Sequence, residues 1–269
     1  MRPFMPARFL LPLFLLWSWP ASAQQVDLEL VLAVDVSRSM DYEEQRLQRD
    51  GYVAAFRHPE VIQAILSGGY GSIAVTYVEW AGPSYQNIIV PWTVIASEAD
   101  ALKFADGLQN GEMLRERGTS ISNGLFFASQ LFENSQAHGL RQTIDISGDG
   151  PNNMGPAVTP IRDSVVAQGI TINGLPIMLR PSAGYEPYGI ADLDVYYEDC
   201  VIGGAGAFMI TVDDINQFPA AIRRKLVLEI AGRMPEGPRL IPVAFNQTPR
   251  IDCMIGEKTR GRWFEPELR

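Results

Sequence analysis

The feature that most restricts the fold of this chain is the alternation of strand-like and helix-like segments. Runs rich in Val, Ile and Leu alternate with segments whose apolar residues recur at helical spacing. We predict strands at 27–36, 72–80, 86–94, 141–147, 170–178 and 207–212. We predict helices at 41–56, 97–110, 120–134, 155–169, 191–201 and 219–232. Because such alternation is typical of parallel sheets covered on both faces, the sequence predicts a doubly wound α/β fold.

One pair of predicted strands departs from this alternation. Residues 72–80 and 86–94 are separated only by a short Gly-Pro turn, so we expect them to pair as a hairpin. The predicted sheet is therefore mostly parallel with one antiparallel edge strand. In such sheets, ligands bind beyond the carboxyl ends of the strands.

The two ends of the chain differ in composition from the segments between them. Residues 1–23 begin with Arg2 and Arg8, continue with a short apolar run and end in Ala-Ser-Ala, as secretory signal peptides do. The run is too short to span a bilayer of about 30 Å, so we predict cleavage after Ala23. No later segment is long and apolar enough to span a membrane. We expect a domain over 24–232, followed by an extended, Pro-rich tail over 233–269.

The charge of the chain is acidic. The formal net charge is −9, and removal of residues 1–23 takes away two arginines and no acid, which leaves −11. Such a surface repels the phosphate backbone, so nucleic acid is excluded as a partner.

The chain contains two cysteines, Cys200 and Cys253. In an exported protein an even number of cysteines favours a disulfide, which would tether the tail to the domain; two free thiols are the alternative. Four tyrosines either form an exposed contact surface or pack against this tail: Tyr185, Tyr188, Tyr196 and Tyr197.

Side chains with oxygen donors follow or precede three of the predicted elements. Asp35, Ser37 and Ser39 lie where the first strand ends and a helix begins, Thr119 directly precedes a helix, and Asp149 follows a later strand. All three loops are expected at the same edge of the sheet. Two carboxylates and three hydroxyls, without His or Cys, suit a hard cation such as Mg²⁺, Ca²⁺ or Mn²⁺, whereas Zn²⁺ prefers nitrogen or sulfur. The sequence predicts a site for one divalent ion.

The order of these five residues resembles the metal-ion-dependent adhesion site (MIDAS) of the von Willebrand factor A (VWA) domain family. The resemblance covers roughly residues 27–231, and the stretches YVEWAG, SGDGPNN and CVIGGAGAF resemble a bacterial exported subgroup of that family. It implies a VWA/Rossmann-like domain with a C-terminal extension. It also implies a periplasmic or secreted module that binds a protein ligand.

The resemblance further implies a role for each residue. Ser37 and Ser39 would bind the ion directly, and Thr119 would bind it directly in the ligand-occupied state. Asp35 and Asp149 would bind it directly or through water. An Asp or Glu of the partner would complete the coordination.

Four neighbouring residues are expected to support this site. Gly118 and Gly150 adjoin two of the expected ligands, and Asn152 is expected to shape its loop through side-chain-to-backbone hydrogen bonds. Asp145 either orients a ligand from within a central strand or lies half-exposed because that strand begins late. It belongs to the stretch DISGDG, which departs from the apolar-Thr-Asp-Gly pattern usual in the family.

Two other functions fit the sequence less well. A metal-dependent phosphohydrolase would use Asp35 as nucleophile, but Ser37 stands where such enzymes place a second carboxylate, and no Lys accompanies the motif. A structural module would use the ion only to stabilise loops. We predict a non-enzymatic binding protein.

Overall fold

The computed structural model describes residues 24–179, 189–233 and 249–264. Its strands are β1 (Gln24–Val26), β2 (Leu28–Asp35), β3 (Ile73–Trp80), β4 (Gln86–Ile95), β5 (Ala137–Gly139), β6 (Gln142–Gly148) and β7 (Thr171–Pro176). Its helices are α1 (Tyr42–Phe56), α2 (Pro59–Leu66), α3 (Glu98–Asn110), α4 (Ile121–Leu131), α5 (Val158–Ala167), α6 (Leu193–Tyr196), α7 (Phe218–Ala231) and α8 (Ile255–Phe264). The predicted signal peptide and two parts of the predicted tail, 234–248 and 265–269, lie outside the described residues. Every helix in the described ranges is too short or too polar to traverse a bilayer.

Five strands form the central sheet in the order β4-β3-β2-β6-β7. β2 pairs in parallel with β3 and β6, and β7 extends the parallel part. β4 lies antiparallel to β3 at the edge. The predicted doubly wound α/β fold with one antiparallel edge strand is therefore confirmed. β1 and β5 form a separate two-stranded parallel sheet.

The central strand β2 is buried on both faces. Leu30 and Leu32 pack in a core shared with α1, α2, α3 and α7, whereas Val31 and Ala33 pack in a second core with α4, α5 and α6. Successive side chains of a strand point to opposite faces. A strand covered by helices on both sides must therefore be largely apolar, which explains the unbroken apolar run from Leu30 to Val34.

Side-chain caps begin α1 and α4, the helices that follow two of the three predicted metal loops. Asp41 accepts hydrogen bonds from the backbone N–H groups of Glu43 and Glu44 at 2.9 Å, and its own N–H donates to the Glu44 carboxylate at 2.8 Å. This capping box starts α1, which the sequence predicts over residues 41–56. Ser120 caps α4 by accepting from Asn123 N. Both loops therefore lead directly into anchored helices.

Three segments differ from the prediction. Residues 207–212 do not form a regular strand; isolated bridges join Met209 to Gly174 of β7 and Val212 to Ile177, just beyond β7. α2 was not predicted, although His58 caps it by accepting from Glu60 N at 3.2 Å. α8 lies in the predicted extended tail, so that prediction is wrong for its residues.

A disulfide joins Cys200 to Cys253, as the exported context favours. Their Cα atoms are 5.6 Å apart and the bridge spans 53 positions of sequence. It connects a buried π-helical turn, Tyr197–Val201, to the residues just before α8. Closing a loop of this length stabilises the fold by about 4 kcal/mol in the chain-entropy account. The bridge therefore fastens the C-terminal segment to the domain.

A buried ion-pair cluster joins α7 to the sheet. Lys225 Nζ lies 2.6 Å from the Asp145 carboxylate and also pairs with Glu229, and all three side chains are at most 1% exposed. Asn173 Nδ2 donates to Glu229 at 2.9 Å. Asp145 is therefore fully buried, so its half-exposed interpretation is wrong. Its ion-pair partner is α7 rather than the loops at the strand ends.

This cluster has one more acid than base, which affects its protonation. The pKa of Glu229 is raised to about 7, because burial and the charge of Asp145 outweigh the attraction of Lys225. The pKa of Asp145 is raised as well, chiefly by burial, although Lys225 opposes this shift. The folded protein therefore holds a proton here more tightly than the unfolded chain does.

We predict that Glu229→Gln flattens the dependence of the unfolding free energy on pH. A group with a raised folded pKa stabilises the fold fully below its unfolded pKa, and this contribution is lost as pH rises through the folded pKa. From about pH 5 to about pH 7.5 the wild type should lose on the order of 1–3 kcal/mol from this group. Urea denaturation at several pH values measures the loss. The exposed Glu133→Gln serves as control, and parallel curves for Glu229→Gln and wild type would contradict the assignment.

Candidate metal site

The loop after β2 presents three oxygen-bearing side chains at the carboxyl end of the sheet. Ser37 N donates to Asp35 Oδ1 at 2.7 Å, and the hydroxyls of Ser37 and Ser39 lie 2.8 Å apart. Ser37 also forms a parallel bridge with Glu116. Arg38 and Ser39 then form a turn, in which Met40 N donates to Ser37 O at 3.2 Å, and this turn keeps the Ser39 hydroxyl beside that of Ser37.

The other two loops meet the first at this edge. Ser39 Oγ donates to Asp149 Oδ1 at 2.6 Å. Thr119 N donates to Asn153 Oδ1 at 3.0 Å, and Asn153 N donates back to Thr119 O at 2.9 Å. Ser37, Ser39 and Thr119 line one cavity of about 530 Å³. The structure thus brings the predicted residues of all three loops to one place.

Asp35 is the most deeply buried of these groups. It is 0% exposed, and its Oδ2 receives no hydrogen bond from any residue within the described ranges. Its pKa is raised well above the usual value, first because of burial and then because of the charge of Asp149. A buried carboxylate beside a second carboxylate is unfavourable unless positive charge compensates it. The site therefore favours a cation or a proton.

The Tyr197 hydroxyl lies near the Asp35 carboxylate, beside Gly148. Sequence reasoning did not identify Tyr197 as a site residue. It is fully buried, its hydroxyl has no hydrogen-bond partner among the described residues, and its pKa is raised by burial and then by Asp35 and Asp149. A Cβ placed on Gly148 would lie 2.8 Å from the Tyr197 hydroxyl and 3.0 Å from Asp35 Oδ2. Gly148 is thus required for two polar atoms to share this space, and its departure from the family pattern was the one available signal.

Of the two interpretations of Tyr196 and Tyr197, the exposed surface is wrong, because both rings are buried. Packing against the tail fits Tyr196, whose hydroxyl donates to Cys253 O at 3.5 Å. Tyr185 and Tyr188 lie outside the described residues.

The two predicted supporting glycines, Gly118 and Gly150, lie next to Thr119 and Asp149. Gly118 has φ +82°, and a Cβ there would lie 2.0 Å from Met154 Sδ, so only glycine fits before Thr119. Gly150 is buried directly after Asp149.

Asn152 holds the third loop in position. Its Oδ1 accepts from Ser122 N at 3.1 Å, and its Nδ2 donates to Pro156 O at 3.0 Å and to Glu257 at 2.7 Å. It connects this loop to α4 and to α8, as expected for a residue that shapes the loop.

The donor set restricts what the site can hold. Among the described ranges, no group of three or more His, Cys, Asp or Glu side chains is placed to hold a metal. An ion at this edge of the sheet would therefore depend on the serine and threonine hydroxyls in addition to two carboxylates. Hydroxyl and carboxylate oxygens are ligands of hard divalent cations, and the unsatisfied Oδ2 of Asp35 fits such an ion.

The sequence comparison identifies a family. Residues 25–234 match the family described as protein of unknown function DUF1194. No curated protein is significantly similar in sequence to this chain.

Solved structures with the same fold are distant in sequence. Proximal thread matrix protein 1 from the mussel byssus, with a zinc-occupied MIDAS motif, superposes with a TM-score of 0.58 at 15% identity over 77% of this chain and 48% of its own. The Lactobacillus rhamnosus GG pilus adhesin SpaC gives 0.57 at 15% identity over 78% of this chain and 31% of its own. The vWF domain of the type V pili tip protein Mfa5 from Porphyromonas gingivalis gives 0.51 at 11% identity over 80% of this chain and 98% of its own.

The chain thus spans less than half the length of the first two structures and nearly all of the third, an isolated domain. With the strand order and the family match, these likenesses show the VWA fold. The chain belongs to the DUF1194 family and has a von Willebrand factor A-type fold.

Proposed function

We propose that this protein is an exported binding module in which one divalent cation links it to an acidic residue of a partner protein. The observation that carries the proposal is the Asp35 carboxylate. It is buried beside Asp149 with one oxygen unsatisfied among the described residues, directly behind hydroxyls that open into a cavity. A cation at this point would offset the cost of burying both acids.

The proposed ligands are the five residues at the strand ends. Ser37 and Ser39 would bind through their hydroxyls, and Thr119 would contribute its hydroxyl when a partner is bound. Asp35 and Asp149 would supply negative charge directly or through water. The ion would act as a Lewis acid that attracts an anionic oxygen from outside.

Mg²⁺ is the proposed ion, with Ca²⁺ or Mn²⁺ as alternatives of the same hard class. An all-oxygen set without His or Cys favours these ions over Zn²⁺. The zinc-occupied MIDAS motif of the mussel protein supports a divalent cation in this fold, rather than a particular metal for this chain.

The proposed partner is a protein that offers Asp or Glu. Two of the similar structures are a pilus adhesin and a pilus tip protein, which supports adhesion-type binding. The cavity at the site has a volume of about 530 Å³, which is enough to hold a side chain of a partner.

A phosphohydrolase with Asp35 as nucleophile is disfavoured by the geometry. A nucleophile must reach the substrate, yet Asp35 is 0% exposed and its Oδ1 already accepts from Ser37 N. The proposed role is therefore binding without turnover.

Export and domain organisation complete the proposal. We propose cleavage after Ala23, a domain over 24–232 and a tethered C-terminal extension over 233–269, in the periplasm or outside the cell. The Cys200–Cys253 disulfide supports this location, because such bridges persist in oxidising compartments.

We predict that Asp35→Asn is more stable than the wild type without metal, and that this advantage shrinks or disappears when metal is added. In EDTA the variant should be more stable than wild type by about 1–3 kcal/mol, because a buried charge is removed. In saturating Mg²⁺ the wild type should gain stability and the variant should not. Thermal denaturation with and without metal, supported by calorimetric Mg²⁺ titration, measures both effects.

The matched control for this experiment is Asp213→Asn, which alters an exposed aspartate on another loop. It should respond to Mg²⁺ as the wild type does. An equal Mg²⁺ response in wild type and Asp35→Asn would refute the proposed ion site.

A second prediction concerns the residue that positions Thr119. Asn153→Ala removes the acceptor for Thr119 N and should lower Mg²⁺ affinity about tenfold, as loss of a group that orients ligands does. It should also lower the unfolding free energy by about 1–3 kcal/mol, because a buried N–H loses its partner. Exposed Asn134→Ala is the control. Unchanged Mg²⁺ affinity in Asn153→Ala would show that Thr119 does not need this hydrogen bond.

A further inference from the structure

Positive charge is concentrated at the mouth of the cavity. Arg38, Arg117 and Arg260 line it, and no acidic side chain does so among the described lining residues. This arrangement stands out in a chain whose formal net charge is −9. The cavity is therefore lined by three arginines, and the carboxylates of Asp35 and Asp149 lie behind the serine hydroxyls rather than in its lining.

Arg38 and Arg117 belong to two of the metal loops, and backbone contacts hold both loops in place. The backbone oxygen of Arg38 accepts from Arg115 Nη2 at 3.0 Å. Arg117 directly precedes Gly118, and its carbonyl oxygen packs so closely on Gly82 that a Cβ there would lie 2.4 Å away. The two guanidinium groups therefore start from fixed backbone positions beside the proposed ion.

The third arginine comes from α8. A Cβ on Gly256 would lie 2.1 Å from Asn152 O, and Glu257 accepts from Asn152 Nδ2 at 2.7 Å. Arg260 Nη1 donates to Asn153 O at 3.4 Å. The helix thus lies directly against the loop that follows Asp149, and the Cys200–Cys253 disulfide tethers it there.

This helix lies beyond the part of the chain that matches the family. The match ends at residue 234, whereas α8 spans Ile255–Phe264. The rim therefore includes a residue that the matched domain does not supply, and it is held in place by a covalent bridge.

We propose that the C-terminal extension forms part of the binding site, and that the arginine rim selects a protein segment with several adjacent carboxylates. This inference rests on the proposed function: one carboxylate would reach the ion and its neighbours would pair with the arginines. Guanidinium groups bind carboxylates with two parallel hydrogen bonds, which suits a short acidic segment. Positive charge around the cavity would also steer such a segment toward the ion.

The test measures binding of two blocked, fluorescent peptides to the mature chain with its disulfide intact, in Mg²⁺ and in EDTA. One peptide carries four consecutive Asp residues, and the other carries one Asp flanked by Asn and Gly. We expect the four-Asp peptide to bind about tenfold more tightly, and only with Mg²⁺. Arg260→Gln should weaken the four-Asp peptide about fivefold and leave the single-Asp peptide unchanged.

Two further variants make the result specific. Arg117→Gln removes a rim arginine from a different loop and should have the same effect. Because Arg117 is not part of α8, this result would exclude displacement of α8 as the cause. Arg224→Gln removes an exposed arginine of α7 outside the cavity and should have no effect.

The outcomes separate this inference from the proposed function. Equal Mg²⁺-dependent affinities for both peptides, unchanged in Arg260→Gln and Arg117→Gln, would overturn the rim and leave the ion site intact. Binding that is the same in EDTA, or in Asp35→Asn, would overturn the proposed function and the inference with it. Competition by a DNA oligonucleotide as effective as by the four-Asp peptide would overturn the preference for carboxylates.

Discussion

The proposed metal site depends most on the burial of one carboxylate, that of Asp35, at the end of the central strand. A charge in this position is costly, because the protein interior solvates it poorly and Asp149 adds repulsion. The fold nevertheless fixes it there: β2 is paired on both sides, and Ser37 N holds one oxygen. This unfavourable electrostatic arrangement is the physical reason to expect a cation at the site.

Two sets of contacts support the loops of this site: an ion pair between α7 and β6, and a disulfide that tethers α8. Beneath the sheet edge, Lys225 ties α7 to Asp145 of β6, the strand that leads to Asp149. Beside it, the disulfide holds α8 against the loop that contains Asn152. The loops that carry the hydroxyls are therefore supported by elements distant in sequence.

Much of the fold could be predicted from local sequence. The apolar run of β2 and the Asp41–Glu44 capping box are local signals, and both correspond to the structure. The convergence of Asp35, Thr119 and Asp149 followed from the geometry of parallel sheets and from the family resemblance. Errors arose where nonlocal contacts decide structure. α8 has little helical periodicity and is held by the disulfide and by Asn152. Residues 207–212 form isolated bridges to Gly174 and Ile177 instead of a regular strand.

The candidate site was only partly predictable for the same reason. Tyr197 lies 162 positions from Asp35 in the sequence, and no pattern pairs its hydroxyl with that carboxylate. Arg260 reaches the cavity only because the tail folds back. Asp145 was correctly placed inside a strand, but its partner Lys225 could not be chosen from sequence, since many lysines and arginines were available.

The most direct test of the central claim is an anomalous diffraction map of crystals grown in saturating Mn²⁺. The account predicts one strong peak within about 2.3 Å of the hydroxyl oxygens of Ser37 and Ser39, on the side facing Asp35 and Asp149. A map with no peak there, or with manganese bound only elsewhere, would contradict it.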